Sequence, residues 1–168
     1  MAPVLNFQTD NNHGWGICTG MSVSWAKTCL RKRHAPNSKR EMGLGYSIVA
    51  ELGQKKYLDL NFIQLLADKN LIQENEKSRK AKWYTRKKKR FMNAAYDVLR
   101  SPGVYLICTK DHSMAASYFP VNGVLAYLDP NDGQYTFSNP TEFPGWYWSH
   151  VHAYGYDLSD SLLLKIGV

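Results

Sequence analysis

The pattern of this chain changes at Ser101-Pro102-Gly103. Beyond that break, apolar and β-branched residues fall in short runs over 104–109, 112–119, 123–128 and 134–137. Lys-Asp, Pro-Val-Asn and Pro-Asn-Asp-Gly separate them. Short turn sequences between such runs bring the chain back alongside itself, so this half predicts an antiparallel meander. Before the break the spacing is helical. Val23, Ala26 and Leu30 share one face of a helix that starts at Cys18 and ends near Arg33, ahead of Pro36 and Asn37. Asp59 is placed to cap a second helix carrying Phe62, Leu65, Leu66 and Leu71. Residues 91–99 form a third, stopped by the break itself. Helices first and an antiparallel sheet second describe an α+β fold, with residues 1–168 as one domain.

The remaining stretches carry weaker signals. Residues 1–14 read as irregular, 39–45 as a basic loop, and 46–52 have no clear type. Trp146, Tyr147 and Trp148 read as aromatic loop residues, and the apolar run 161–166 is able to close the sheet.

Cys18 stands where Gly14-Trp15-Gly16 gives way to the first helix. In the first turn the backbone N–H groups lack intrahelical partners and the helix dipole is positive. A thiol placed there is drawn toward thiolate, the nucleophilic form. Cys29 recurs about three turns later on nearly the same face and reads as a small core residue, as does Cys108 in mid-strand.

A thiolate nucleophile needs a base within reach and a third group to orient that base. His112 opens a strand, and Asp129 ends the next one at Asp129-Pro130-Asn131-Asp132-Gly133. Two strands joined by a tight return place the start of the first beside the end of the second. His112 and Asp129 therefore meet at one sheet edge. Asp111 is the rival for the orienting role, but neighbours on a strand point to opposite faces. His34 lies among basic residues, and His13 precedes the cysteine. His150 and His152 alternate like strand residues, yet lack the carboxylate or cysteine spacing of a metal site, so no metal and no cofactor is expected.

These same residues carry a resemblance. Gly16-x-Cys18-x-Gly20-Met21-Ser22-x-x-Trp25, a histidine opening a strand at 112, and Leu128-Asp129-Pro130-Asn131-x-Gly133-x-Tyr135-x-Phe137 together resemble the YopT-like cysteine proteases of the papain-like superfamily. The resemblance implies a papain-like α+β fold, with N-terminal helices packed on a C-terminal antiparallel sheet. It implies Cys18 as nucleophile, His112 as general base and acid, and Asp129 as the residue orienting the imidazole. An amide before the cysteine then joins the oxyanion hole; Asn12 is the candidate, with Asn11 its substitute. Such proteins are bacterial effectors or toxins, so the implied substrate is a host or competitor protein, met in the cytosol of a target cell. The same triad serves a glutamine deamidase or a cell-wall amidase, which are the alternatives within enzymes. The alternative outside them is a basic nucleic-acid- or lipid-binding module with a structural cysteine.

Charge and cysteine usage bear on partners and compartment. The formal charge of +7 suits an anionic partner. Residues 77–90 concentrate it; such a run is most often a solvated helix face, and Lys87, Lys88, Lys89 and Arg90 are the candidate patch for an anionic partner, for which an inner-leaflet membrane surface would fit. No nucleic-acid-binding motif accompanies it, so nucleic acid is not expected. Three cysteines are too few for a disulfide framework. The first residues lack the basic and apolar regions of a secretory signal, and no apolar run approaches the roughly 20 residues of a membrane-spanning helix. Delivery by a signal-peptide-independent route is the expectation.

Overall fold

The computed structural model describes residues 3–9, 18–42, 72–73, 88–109, 112–156 and 162–167. Among the described residues, seven strands run in chain order: β1 (Val4–Gln8), β2 (Ile72–Gln73), β3 (Gly103–Cys108), β4 (Ser113–Phe119), β5 (Val124–Asp129), β6 (Gly133–Phe137) and β7 (Leu162–Gly167). They form one sheet in the order β1-β6-β5-β4-β3-β7-β2, with antiparallel neighbours throughout. The described helices are α1 (Cys18–Lys32), α2 (Lys88–Arg100) and α3 (Phe143–Tyr154), with 3-10 turns at Lys39–Met42 and Pro140–Glu142. The meander expected after Gly103 is β3 to β6. The helix expected from Cys18 ends at Lys32, and Arg33 closes it in a left-handed conformation (φ 60°), its N–H donating to the Cys29 carbonyl over 2.8 Å.

Period-two alternation gives the sheet two different faces. Val104, Leu106, Ala115, Ala126, Leu128, Leu164 and Ile166 face one way and pack against Val23, Trp25, Ala26 and Cys29 of α1. Tyr105, Ile107, Met114, Ala116, Leu125, Tyr127, Phe137 and Leu163 face the other way, against α2 (Ala95, Val98) and α3 (Phe143, Tyr147, Val151). The sheet is thus the middle layer, and its central strands are buried on both sides. At about 1.5–3 kcal/mol for each fully buried large apolar side chain, this two-sided burial is the main favourable term holding the layers together.

Three elements differ from the sequence expectation. The stretch read as irregular at the N-terminus contains β1, an edge strand paired with β6. Its side chains are mostly exposed, so it carries no alternation to read. The final apolar run lies between β3 and β2 rather than at an edge, because Leu163 and Leu164 are buried on opposite faces. The aromatic segment read as loop is α3, whose Phe143, Tyr147 and Val151 recur every four residues along the buried face. The segment 46–52, the helix expected after Asp59 with Phe62, Leu65, Leu66 and Leu71, and residues 77–87 of the charge run lie outside the described residues.

A buried polar network fixes α1 against the sheet. The Trp25 Nε1–H donates to Gln134 Oε1 over 2.7 Å. The Gln134 amide in turn donates to the Pro36 carbonyl (2.8 Å) and to Asn6 Oδ1 (3.0 Å). One glutamine on β6 therefore ties together α1, the loop after it and β1, and sets where the start of α1 falls along the strands.

Candidate active site

The site is built around a carboxylate with no contact with water. Asp129, the last residue of β5, is 0 % exposed. Extending the β4–β5 register by one pair sets Met114 opposite Asp129, so His112 lies two residues further along the same face. The His112 Nε2–H donates to Asp129 Oδ1 over 2.7 Å, and the Asn131 backbone N–H donates to the same oxygen over 3.0 Å. The other oxygen, Oδ2, accepts from His150 Nε2 and from the Tyr156 hydroxyl, each at 2.7 Å.

The sequence around Asp129 explains its local shape. The Asp132 N–H donates to the Asp129 carbonyl over 2.9 Å, closing a tight turn. The Asn131 N–H to its side chain makes an Asx turn within it. Gly133 follows because β1 passes too close for a side chain: a Cβ there would lie 2.1 Å from the Phe7 carbonyl oxygen. From β1, the Thr9 hydroxyl bonds to the carbonyls of Asp129 (3.1 Å) and Pro130 (2.9 Å) and its N–H to Asp132 (2.9 Å). The edge strand that the sequence concealed thus clamps the turn that presents the carboxylate.

The charges follow from these partners. Burial opposes charge on Asp129, but hydrogen bonds from His112, His150 and Tyr156 outweigh it and hold the carboxyl well below its usual range. Burial also opposes charge on His112, yet hydrogen bonds to Asp129 and Cys18 raise its pKa to about 9. Since Asp129 holds Nε2, Nδ1 is the ring nitrogen left to face Cys18. The Tyr156 phenol is pushed above its usual range by burial and by the Asp129 charge, so it stays a donor. Its ring lies against His112, centroids 4.4 Å apart.

Cys18 is the first residue of α1 and half-buried. It comes from the layer on one side of the sheet, whereas Asp129 and His112 share the face turned to α3, and all three meet at one end of the strands. Cys29 and Cys108 are buried in the α1-side core, and burial pushes both thiols up to about 12. They are inert by comparison.

The other expected residues divide. Asn11, Asn12, His13, Asp111 and Lys87 lie outside the described residues. Lys88, Lys89 and Arg90 form the first turn of α2. His150 and His152 do not alternate across a strand. On α3, His150 is buried against Asp129, while His152 is exposed and packs on Trp148 (3.8 Å). Sequence reasoning missed His150 and Tyr156 as partners of Asp129. Trp146 and His150 stand four apart, and their rings stack at 4.7 Å, so a helical reading of 143–154 would have found the buried face. Among the described residues, no group of His, Cys, Asp and Glu is arranged to hold a metal ion. A cleft of about 420 Å³ with a mixed lining opens near the other end of α1, between residues such as Asn6, His34, Phe119, Val124 and Gln134, and none of Cys18, His112 or Asp129 lines it. The ionisable groups converge away from that cleft, around Asp129.

No protein-family model matches the sequence, and no curated protein matches it. The fold is shared with solved structures. It is similar to the Pseudomonas avirulence protein AvrPphB, with a TM-score of 0.71 and 17% identity over 96% of each chain. It is also similar to PatoxP, a cysteine protease-like domain of the Photorhabdus asymbiotica toxin PaTox. There the TM-score is 0.57 at 12% identity, covering 99% of this chain and 53% of that one. The chain thus spans about half the length of PatoxP. The architecture is the α+β, papain-like one that the sequence resemblance implied.

Proposed function

We propose that this protein is a cysteine hydrolase, a papain-like thiol protease in which Cys18, His112 and Asp129 act as nucleophile, acid–base and orienting carboxylate. The observation that carries this reading is the buried His112–Asp129 pair, with Cys18 in hydrogen-bonding contact with the same imidazole. An imidazole whose pKa is raised to about 9 is protonated at neutral pH, the partner a thiolate needs.

In the reaction the Cys18 sulfur attacks the carbonyl carbon of the scissile amide. The carbonyl oxygen becomes an oxyanion, held by the Cys18 N–H at the start of α1 and by the side-chain amide of Asn12. One such donor is typically worth about 3 kcal/mol. His112 then gives its proton to the leaving amine as the C–N bond breaks. Water, deprotonated by the now neutral His112, attacks the thioester and releases the carboxylic acid as the C–S bond breaks, leaving His112 protonated and the Cys18 thiolate restored. Asp129 keeps the ring in the tautomer with Nε2 protonated throughout.

Likeness to an avirulence protein and to a toxin domain supports a role as an effector or toxin acting on a protein inside another cell. Lys88, Lys89 and Arg90 stand together in α2, and an anionic membrane surface is a partner such a run of positive charge would suit. The deciding experiment exposes cell lysates of candidate target cells to wild type and to Cys18→Ala and follows both by mass spectrometry. New peptide termini made only by wild type are expected. Gains of about one dalton at glutamine, the mass change of amide-to-acid conversion, would instead make the same triad a deamidase. Identical lysates would remove the hydrolase reading.

A further inference from the structure

We infer that His150, seconded by Tyr156, is a positioning residue of the site, which keeps the Asp129 carboxylate ionised and aimed at His112. This rests on the hydrolase reading above and adds to it a group bonded to the carboxylate's other oxygen.

Asp129 is fully buried, and a buried carboxylate is stable as an anion only when its lone pairs are met by donors. His112 and the Asn131 N–H occupy one oxygen; His150 and Tyr156 occupy the other. Without the second pair, Oδ2 would face the aromatic layer with an unmet charge. The carboxyl would then take up a proton or rotate away from His112. Either event removes the anion that keeps the His112 ring protonated, and with it the cation beside Cys18.

The surroundings of His150 fit a fixed donor. Its ring stacks on Trp146 (4.7 Å, 17° between planes) and meets Tyr127 (5.5 Å) and Tyr135 (6.0 Å). Tyr154 lies at 4.8 Å. Among the described residues, the titratable groups around it are Asp129 and these phenols, with Asp132 one step further, bonded to the Tyr135 hydroxyl. Among the described residues, His112, the Asn131 N–H, His150 and the Tyr156 hydroxyl are the donors bonded to the carboxylate, so its orientation depends on how these are held. The Asn131 side chain completes the arrangement by donating to the Tyr156 hydroxyl over 3.1 Å. That bond occupies a lone pair of the phenol oxygen and leaves its proton for Asp129.

The test is the rate of Cys18 alkylation by iodoacetamide at pH 6 and pH 9, read by mass spectrometry on the whole chain. Wild type is compared with His150→Leu, His150→Gln, Tyr156→Phe and His112→Ala. Leucine keeps the apolar volume without a donor, whereas glutamine keeps an N–H donor without the ring. His150→Leu is expected to lose at least fivefold in rate at pH 6 and little at pH 9, where a thiol ionises unaided. His150→Gln is expected to recover most of the loss, and Tyr156→Phe to show a smaller loss in the same sense. Equal rates in His150→Leu and wild type would overturn the inference, as would leucine and glutamine variants that behave alike. Should His150→Leu fail to fold, Gln and Tyr156→Phe carry the test: an unchanged pH 6 rate in Tyr156→Phe then overturns it. His112→Ala separates the two readings. If it leaves the pH 6 rate high, the ion pair itself is absent and the hydrolase reading falls. If it lowers that rate while the His150 variants do not, only the positioning role falls.

Discussion

The two faces of the sheet are packed with different kinds of side chain. Against α1 the sheet presents small and aliphatic residues, Val104, Leu106, Ala115, Ala126, Leu128, Leu164 and Ile166. Against α2 and α3 it presents Tyr105, Tyr127 and Phe137, which interleave with Phe143, Trp146 and Tyr147. The polar anchors differ in the same way. On the α1 side the anchor is Gln134, which holds Trp25 and fixes the helix by neutral bonds. On the aromatic side it is Asp129, a charge shared by two imidazoles and a phenol. In the proposed site, the nucleophile comes from the first layer and the acid–base pair from the second. The chemistry therefore depends on how the two layers are held relative to each other, and the two anchors can be perturbed separately.

The largest effects should come from breaking the junction itself. Cys18→Ala is expected to abolish hydrolysis while unfolding at the wild-type urea midpoint. His112→Ala and Asp129→Asn should each lower kcat by roughly 10³-fold or more. Activity near wild type in any of them would show that the layers do not meet in a working site.

Next in size are substitutions that loosen one face. Trp25→Ala on the α1 side and Phe143→Ala on the aromatic side should each cost about 3–5 kcal/mol in urea unfolding, since both side chains are fully buried. Trp25→Phe keeps most of the packing and orphans Gln134 Oε1, a loss of about 1–3 kcal/mol. It should lower kcat through the displaced start of α1 and leave the pH profile unmoved. A shifted profile in Trp25→Phe would mean the two anchors are not separable.

The pH profile sharpens the contrast, because the shifted histidine and carboxylate, His112 and Asp129, both lie on the aromatic side. The kcat/KM profile should fall as pH rises through about 9, where His112 loses the proton it must give the leaving group. Stability follows the same group. A pKa raised above the ordinary 6.5 contributes stability that is fully present below that value and lost as pH rises toward about 9. Asp129, lowered, contributes above the ordinary carboxylate range and loses it only in strong acid. Denaturant titrations of wild type and His112→Gln should therefore converge between neutral pH and pH 9. The smallest effect belongs to Cys29→Ala on the α1 face. It should cost on the order of 1 kcal/mol of stability and leave turnover unchanged, a result that activity assays and melting curves read together.

What was legible in the sequence follows from how local each signal is. The start of α1, the stop at Pro102-Gly103 and the meander turns are written in adjacent residues, and they appear where expected. His112 and Asp129 could be paired because a single tight return joins their strands. β1 was not legible, since its order comes from pairing with Gly133 to Thr136, far along the chain, and its side chains are mostly exposed. α3 was hidden by its composition. Trp146, Tyr147 and Trp148 favour strands intrinsically, and only packing against Tyr127 and Phe137 makes the helix worthwhile. Its C-terminal stop, Gly155 in the left-handed region (φ 69°), was the available clue. Misreading α3 also hid His150, which turned a four-partner carboxylate into an apparent simple triad.

The central claim is that Cys18 exists as a thiolate because a protonated His112, held by Asp129, stands beside it. The rate of Cys18 carboxymethylation between pH 5 and pH 9, followed in wild type and in His112→Ala, tests this directly. A wild-type rate already high at pH 6 that collapses in the variant, with Cys29 and Cys108 unlabelled in both, is the expected result. A wild-type rate that rises only near the ordinary thiol pKa of about 8.5, with no response to His112→Ala, would contradict it.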